Sequence, residues 1–359
     1  MEVRVFFDRE KEKRELRAIL SGEPNVVWFV YGPINSGKTA LINKVIEELP
    51  EDYRVFYINF RGFEGGYRKF TRVMFKVGDD GLWRRLRERL DVISAGVEYV
   101  ERVARKINTG IVLPSEFIRR LQVGDTEEDK VDLFNYLEEL MKGFRKKNLK
   151  PVLIFDELQV IKEEINATGK PLLTRLFNFL VRMTKETHLC HSLCATSDCL
   201  FMEDIWENAR LEGRVKGFLV DDLSKDGAYQ MYEGLGLKEK ELLWEYVGGK
   251  PGDIIGVYEE VKRGLSEREA VERVYVFEKN RVKWLIKKVK EGEDKRVGYD
   301  ELIEGLRMFK DKEEEAGFNL KGKVLIYLVG ENLLFYDPIS DLLKPQSRLV
   351  LRAIREITP

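Results

Sequence analysis

The sequence predicts an α/β fold built on a central parallel sheet, followed by a mainly helical C-terminal region. Three observations predict it. In NVVWFVYGPINSGKTALINKVIEEL (25–49), an apolar strand runs into a glycine-rich loop and then into apolar residues at helical spacing. PVLIFDELQVI (151–161) is a second uninterrupted apolar strand, ended by Asp156 and Glu157. A third, SLCATS (192–197), ends in the polar pair Thr196 and Ser197. Continuous apolar runs of this length mark strands buried on both faces, as parallel strands are.

The first element carries the sharpest chemical signal. Residues Gly32, Pro33, Ile34, Asn35, Ser36, Gly37, Lys38 and Thr39 match G-x-x-x-x-G-K-[ST] at every defined position, and Ala40 continues into the helix. Gly32 and Gly37 let the backbone turn so that successive N–H groups converge on a phosphate. The free amides and positive dipole end of the next helix add to that field. Lys38 is then expected to reach the β- and γ-phosphates of ATP or ADP, and the Thr39 hydroxyl to hold Mg²⁺.

The second strand supplies the acid that such a loop needs. Asp156 suits the outer coordination of Mg²⁺, and Glu157 stands where it can polarise an attacking water as general base. Adjacent acids here resemble the additional-strand, catalytic-glutamate class of P-loop nucleoside triphosphatases. That class places one more strand between the two motif-bearing ones, ending in a polar sensor residue.

HLCHSLCATSDC (188–199) holds both histidines and all three cysteines of the chain, which raises the question of zinc. Strand alternation argues otherwise: His188 and His191 point to opposite faces, and no C-x-x-C occurs. Cys190 and Cys194 read as small core hydrophobes, and the stretch as the sensor strand. Thr196 is the candidate contact to the γ-phosphate or attacking water.

Flanking segments complete the pattern. Before the loop stands Phe6-Phe7-Asp8-Arg9-Glu10-x-Glu12; after the sensor strand come Gly213-Arg214 and KGFLVDDL; later follows Tyr246-x-Gly248-Gly249-x-Pro251-Gly252. Together they resemble the archaeal ATPases of the STAND group, relatives of AAA+ proteins, over roughly residues 3–264. The resemblance implies that Phe7, Arg9 and Glu10 lie beside the adenine, that Pro251 opens a helical lid near the base, and that Arg214 contacts the terminal phosphate of its own molecule or of a second one. Asp8 stands where the family's first motif usually has glycine, and no second-sensor arginine follows Pro251.

The domain plan read from the sequence is a core at 1–223 with an insertion at about 61–150, a lid at 224–264, and a helical, winged-helix-like unit at 265–359. The last is expected to contain a hairpin over KVLIYLVGENLLFYDPIS and a final helix at RLVLRAIREI. Within the insertion, Asp125-x-x-Glu128 reads as a capping box for a helix carrying Val131, Phe134, Leu137, Met141 and Phe144 on one face.

Sixty-two basic and 63 acidic residues leave a net charge of −1, which by itself argues for neither nucleic acid nor membrane. The wealth of Lys, Arg and Glu, with four glutamines, is that of proteins from hot environments. No targeting segment stands out, and the apolar runs are strand-sized, so a cytoplasmic protein without a membrane span is expected. The function expected is an ATP-binding, slowly hydrolysing switch with a protein partner and oligomerisation on activation. The alternative is a DNA-dependent ATPase resembling archaeal replication initiators, with DNA on the winged helix.

Overall fold

The computed structural model describes residues 7–60, 75–77, 111–113, 127–161, 171–208 and 211–358. Helix α1 (Glu10–Ser21) precedes β1 (Val27–Tyr31), α2 (Lys38–Glu47) and β2 (Tyr53–Asn59). Short strands β3 (Phe75–Val77) and β4 (Ile111–Leu113) pair with each other. Then come α3 (Glu127–Lys146), β5 (Lys150–Asp156), α4 (Pro171–Val181), β6 (His191–Thr196), α5 (Cys199–Asn208) and β7 (Val215–Leu219). Strands β1, β2, β5, β6 and β7 form one parallel sheet in the order β2–β5–β6–β1–β7. The expected additional strand is β6, between the glycine-loop strand β1 and the acidic strand β5.

Alternation sorts the sheet's side chains into two layers. Phe29, Leu153 and Phe155 pack with α3 and α4, through Leu137, Met141, Phe144 and Phe177. Val30, Ile154 and Leu193 face the other way, onto Leu16 of α1 and Leu41, Ile42 and Val45 of α2. The proposed capping box at Asp125 lies outside the described residues.

The HLCHSLCATSDC stretch is β6 with its flanks. Cys190, Cys194 and Cys199 are free and buried, and burial pushes the Cys190 thiol up to about 12. His191 faces the Gly22 carbonyl at 3.1 Å and His188 that of Pro24 at 2.5 Å. Desolvation lowers His191 to about 4. Among the described residues, no three His, Cys, Asp or Glu side chains cluster to hold a metal.

After the sheet the chain is mainly helical: α6 (Lys225–Gly234), α7 (Lys240–Tyr246), α8 (Pro251–Lys262), α9 (Glu267–Lys290) and α10 (Tyr299–Arg307). Next come β8 (Glu315–Ala316), a short 3₁₀ turn, α11 (Gly322–Gly330), β9 (Leu334–Asp337), β10 (Leu342–Pro345) and α12 (Arg348–Ile357). The final helix falls where it is expected. The hairpin does not: KVLIYLVG is helix α11, and the hairpin is β9–β10, one register later in the chain. Val324, Tyr327 and Leu328 bury one side of that helix, while Ile326 projects into solvent.

The helices expected as a lid and those expected as a separate C-terminal unit share one hydrophobic core running from Leu223 to Ile354. Phe335 of β9 leaves that core and is buried instead among the side chains of the parallel sheet. Among the described residues, no helix is long and apolar enough to cross a membrane.

Candidate functional site

Parallel strands deliver their carboxyl ends to one edge of the sheet, and register decides what meets there. Tyr31 is level with Thr196, and Asn59 with Asp156. The glycine-rich loop leaves β1 just beyond Tyr31. Gly32 there has φ 153°, and a Cβ on it would lie 2.2 Å from the Val220 carbonyl oxygen, so close backbone approach requires glycine. A cleft of about 1020 Å³ opens over this edge, lined by the loop from Ile34 to Ala40 and by Asp156, Glu157, Thr196 and Pro251. That size suits a nucleotide.

Lys38 is buried, and its ammonium donates to the carbonyls of Gly32 and Pro33 at 3.1 and 2.8 Å. Burial, reinforced by the nearby Lys250 ammonium, lowers Lys38 to about 8. Thr39 Oγ1 donates to Asp156 Oδ2 at 2.9 Å, and the Tyr57 hydroxyl donates to the same oxygen. Desolvation raises the Tyr57 phenol, so it stays a neutral donor. These oxygens, a hydroxyl beside a carboxylate, are the hard donors that Mg²⁺ prefers.

Glu157 has φ 56°, a left-handed backbone unusual for glutamate, directly at the end of β5. Its Oε2 accepts from Gln159 Nε2 at 2.6 Å, and Gln159 Oε1 accepts from Thr196 Oγ1 at 2.9 Å. One amide therefore links the acidic strand to the end of β6. Sequence reasoning missed Gln159, although it stands two positions from Glu157.

At the other side of the cleft, Phe7 and Arg9 both line the wall. The Phe7 ring packs so closely on α6 that a Cβ at Gly234 would lie 2.0 Å from it. Asp8 and Arg9 are both left-handed, with φ 54° and 75°. Aspartate visits that region more readily than most residues, which accommodates the missing glycine. Arg9 is buried and donates to the carbonyls of Ser36 and Asp221 at 2.7 and 2.6 Å, tying the N-terminal segment to the loop. Glu10 is not brought into the cleft; it begins α1, is exposed, and pairs with the buried Lys13.

Pro251 occupies the first turn of α8, where a missing N–H costs nothing. Its neighbour Lys250, unmarked by any motif, is the better connected. It is buried, donates to the Ile34 carbonyl at 2.9 Å and pairs with Asp222 at 3.1 Å. The C-terminal hairpin closes the same corner. Gln346 Oε1 accepts from the Ile34 amide at 3.2 Å, Asp337 accepts from the buried Tyr31 hydroxyl at 2.8 Å, and Lys344 pairs with Asp221 at 2.6 Å.

Arg214, like Glu10, is kept away from this edge. It is exposed and precedes β7, and its carbonyl accepts from the Val27 amide at the amino end of β1. The length of the strand, about 13 Å, separates it from the loop. A contact from Arg214 to a phosphate in its own cleft is therefore corrected: the motif order was right, but the strand points it the wrong way.

The comparisons with known proteins agree with this geometry. A model of an ATPase domain predominantly from Archaea matches residues 6–257, and the C-terminal domain of MJ1010-like uncharacterised ATP-binding proteins matches residues 268–358. The uncharacterised ATP-binding protein MJ0075 of Methanocaldococcus jannaschii is 37% identical over 364 residues, covering 98% of each chain. PYRAB06260 of Pyrococcus abyssi, named in the same way, is 38% identical over 356 residues, covering 98% of each. Among solved structures, the Walker-type ATPase PABY2304 of Pyrococcus abyssi is similar with a TM-score of 0.60 at 16% identity. That likeness covers 98% of this chain and 96% of that one, and is one of fold.

Proposed function

The chain belongs to the family of ATPase domains found predominantly in Archaea, and on that premise we propose that it is a slow ATPase switch whose C-terminal region follows the nucleotide. The reading rests above all on Gln346, which ties the C-terminal hairpin to the backbone of the phosphate loop at Ile34. A change in that loop on loss of the γ-phosphate bears directly on the hairpin. The STAND-like character of the switch, and a division into core (1–223), lid (224–264) and winged-helix-like unit (265–359), belong to the same proposal.

In this reading the loop amides from Asn35 to Thr39 and the Lys38 ammonium bind the phosphates, with Phe7, Arg9 and Pro251 on the nucleoside side. Thr39 and Asp156 fit Mg²⁺, which when bound neutralises charge on the β- and γ-phosphates. Glu157 accepts the proton of the water that attacks the γ-phosphorus, the bond to the β-phosphate oxygen breaks, and ADP and phosphate leave. Thr196 and Gln159 position Glu157. The exposed Arg214 is the candidate for an arginine that reaches the terminal phosphate in the cleft of a second molecule.

A second reading is a DNA-stimulated ATPase. It is favoured by the order α10–β8–3₁₀–α11–β9–β10 and the strand order β8–β10–β9, which resemble those of a winged helix. The deciding experiment is ATP turnover by wild type and Glu157→Gln, each with and without duplex DNA. The switch reading expects turnover that needs Glu157 and ignores DNA. Turnover that persists in Glu157→Gln removes the proposed base, and a several-fold rise with DNA moves the second reading to the front.

A further inference from the structure

Helix α9 is 24 residues long and buries one side on α8 and α12, through Val271, Tyr275, Val282, Ile286 and Val289. Its outer side is unusual for a solvated helix. Phe277 is 74% exposed and Trp284 54% exposed, which are high values for the two most costly side chains to leave in water. They stand seven positions apart, two helical turns, hence on one line about 10 Å long. Lysines flank that line: Lys283 and Lys287 are exposed, and the Lys288 ammonium lies 3.6 Å from the centre of the Trp284 ring. Asn280 lies between the two aromatics on the same side.

Acid does not cancel this face. Glu278 is turned to Arg281, and Glu356 of α12 takes Lys279 and Tyr275. Glu260 of α8 takes Arg273, Glu291 reaches the stripe at 3.7 Å from Lys287, and Glu356 also acts electrostatically on Lys283. A helix that needed only solubility would carry lysine and glutamate here, not phenylalanine and tryptophan.

We propose that the outer face of α9, centred on Phe277 and Trp284 between Lys283, Lys287 and Lys288, is a contact surface for single-stranded nucleic acid. Exposed aromatic rings offer a stacking face to any base, and interleaved ammonium groups meet the phosphates on either side. A spacing of about 10 Å suits bases splayed from an unpaired strand. It does not suit a duplex, whose bases are stacked on one another and present no open face. Positive charge selects an anionic partner over a second copy of this helix, which would set lysine against lysine. The surface is independent of the nucleotide cleft, so its failure would leave the ATPase reading untouched.

The test is fluorescence anisotropy of the full chain with a labelled 20-mer of deoxythymidine, its duplex form, and anionic phospholipid vesicles as a competitor. Wild type is expected to bind the single strand at least several-fold more tightly than the duplex, with affinity falling as salt rises. Phe277→Ala with Trp284→Ala is expected to weaken binding tenfold or more. Lys283→Glu with Lys287→Glu should weaken it and flatten the salt dependence. ATP affinity, measured in parallel, reports that the surface variants remain folded. The proposal is overturned by no binding at low salt, by binding that the aromatic pair leaves unchanged, by equal or tighter duplex binding, or by vesicles that bind while the oligonucleotide does not. It is equally overturned if light scattering shows a dimer that Trp284→Ala dissociates.

Discussion

The side-chain oxygen of Gln346 accepts a hydrogen bond from the backbone amide of Ile34, so a residue 312 positions further along the chain holds the phosphate loop. Lys250 takes the carbonyl of the same residue. Ile34, the one loop residue with an exposed apolar side chain, is thus gripped from both sides, by the C-terminal hairpin and by the start of α8.

Removing the first grip should loosen the loop locally. Gln346→Ala forfeits two neutral hydrogen bonds, from the Ile34 amide and to the Leu334 carbonyl, about 1 kcal/mol each. The Ile34 amide is expected to exchange its hydrogen roughly fivefold faster, with faster exchange also across β9–β10. Exchange followed by mass spectrometry checks this; an unchanged rate at Ile34 would mean that the bond holds nothing.

Gln159 makes a different claim, about turnover instead of order. Gln159→Leu keeps the volume but breaks the link from Glu157 to Thr196. With the base no longer oriented, kcat should fall about tenfold or more while ATP affinity moves less than about twofold. A Kd that changes as much as kcat would assign Gln159 to binding.

ATP affinity should also depend on pH in a stated direction. Lys38 is lowered to about 8 by burial, and a bound phosphate can only raise it, because the ammonium then gains an anionic partner. Binding therefore takes up a proton above about pH 8, and affinity should fall as pH rises from 7 to 9. Calorimetry in buffers of different ionisation heat reads the uptake; a flat affinity across that range contradicts it.

Asp253 predicts a stabilising substitution. Its Oδ2 is buried with no hydrogen-bond partner, and burial raises its carboxyl to about 7, against the pull of Lys250. A folded value above the unfolded one means that the native state holds the extra proton between about pH 4 and 7. Stability from this group is thus present at low pH and lost as pH rises through 7. Asp253→Asn should flatten that loss and raise stability at pH 8 by about 1 kcal/mol, read as a higher melting temperature.

What the sequence discloses is set by how local each device is. The phosphate loop and the Asp156–Glu157 pair are legible because one strand and one turn contain all their chemistry. β6 is legible through alternation, which separates its histidines and buries its cysteines. KVLIYLVG deceives for the same reason that it packs well: a short apolar run has no polar period to reveal whether it repeats at 2 or at 3.6 residues. Arg214 stands away from its own cleft, which motif order could not reveal, because order says nothing about which end of a strand a residue occupies. Gln159, Lys250 and Gln346 carry no motif at all, and they matter only through what the fold sets opposite them.

Tyr31 and Asp337 meet across 306 positions of sequence. A chain emerging from the ribosome exposes its phosphate loop long before the hairpin that closes over it, and Phe335 must wait to fill the sheet's core. Loop closure over that span is slow compared with forming the strand–loop–helix unit itself. The nascent protein therefore passes through a stage with a formed loop, an open corner and an unfilled apolar socket. Sealing of that corner therefore waits on the synthesis of β9 and β10.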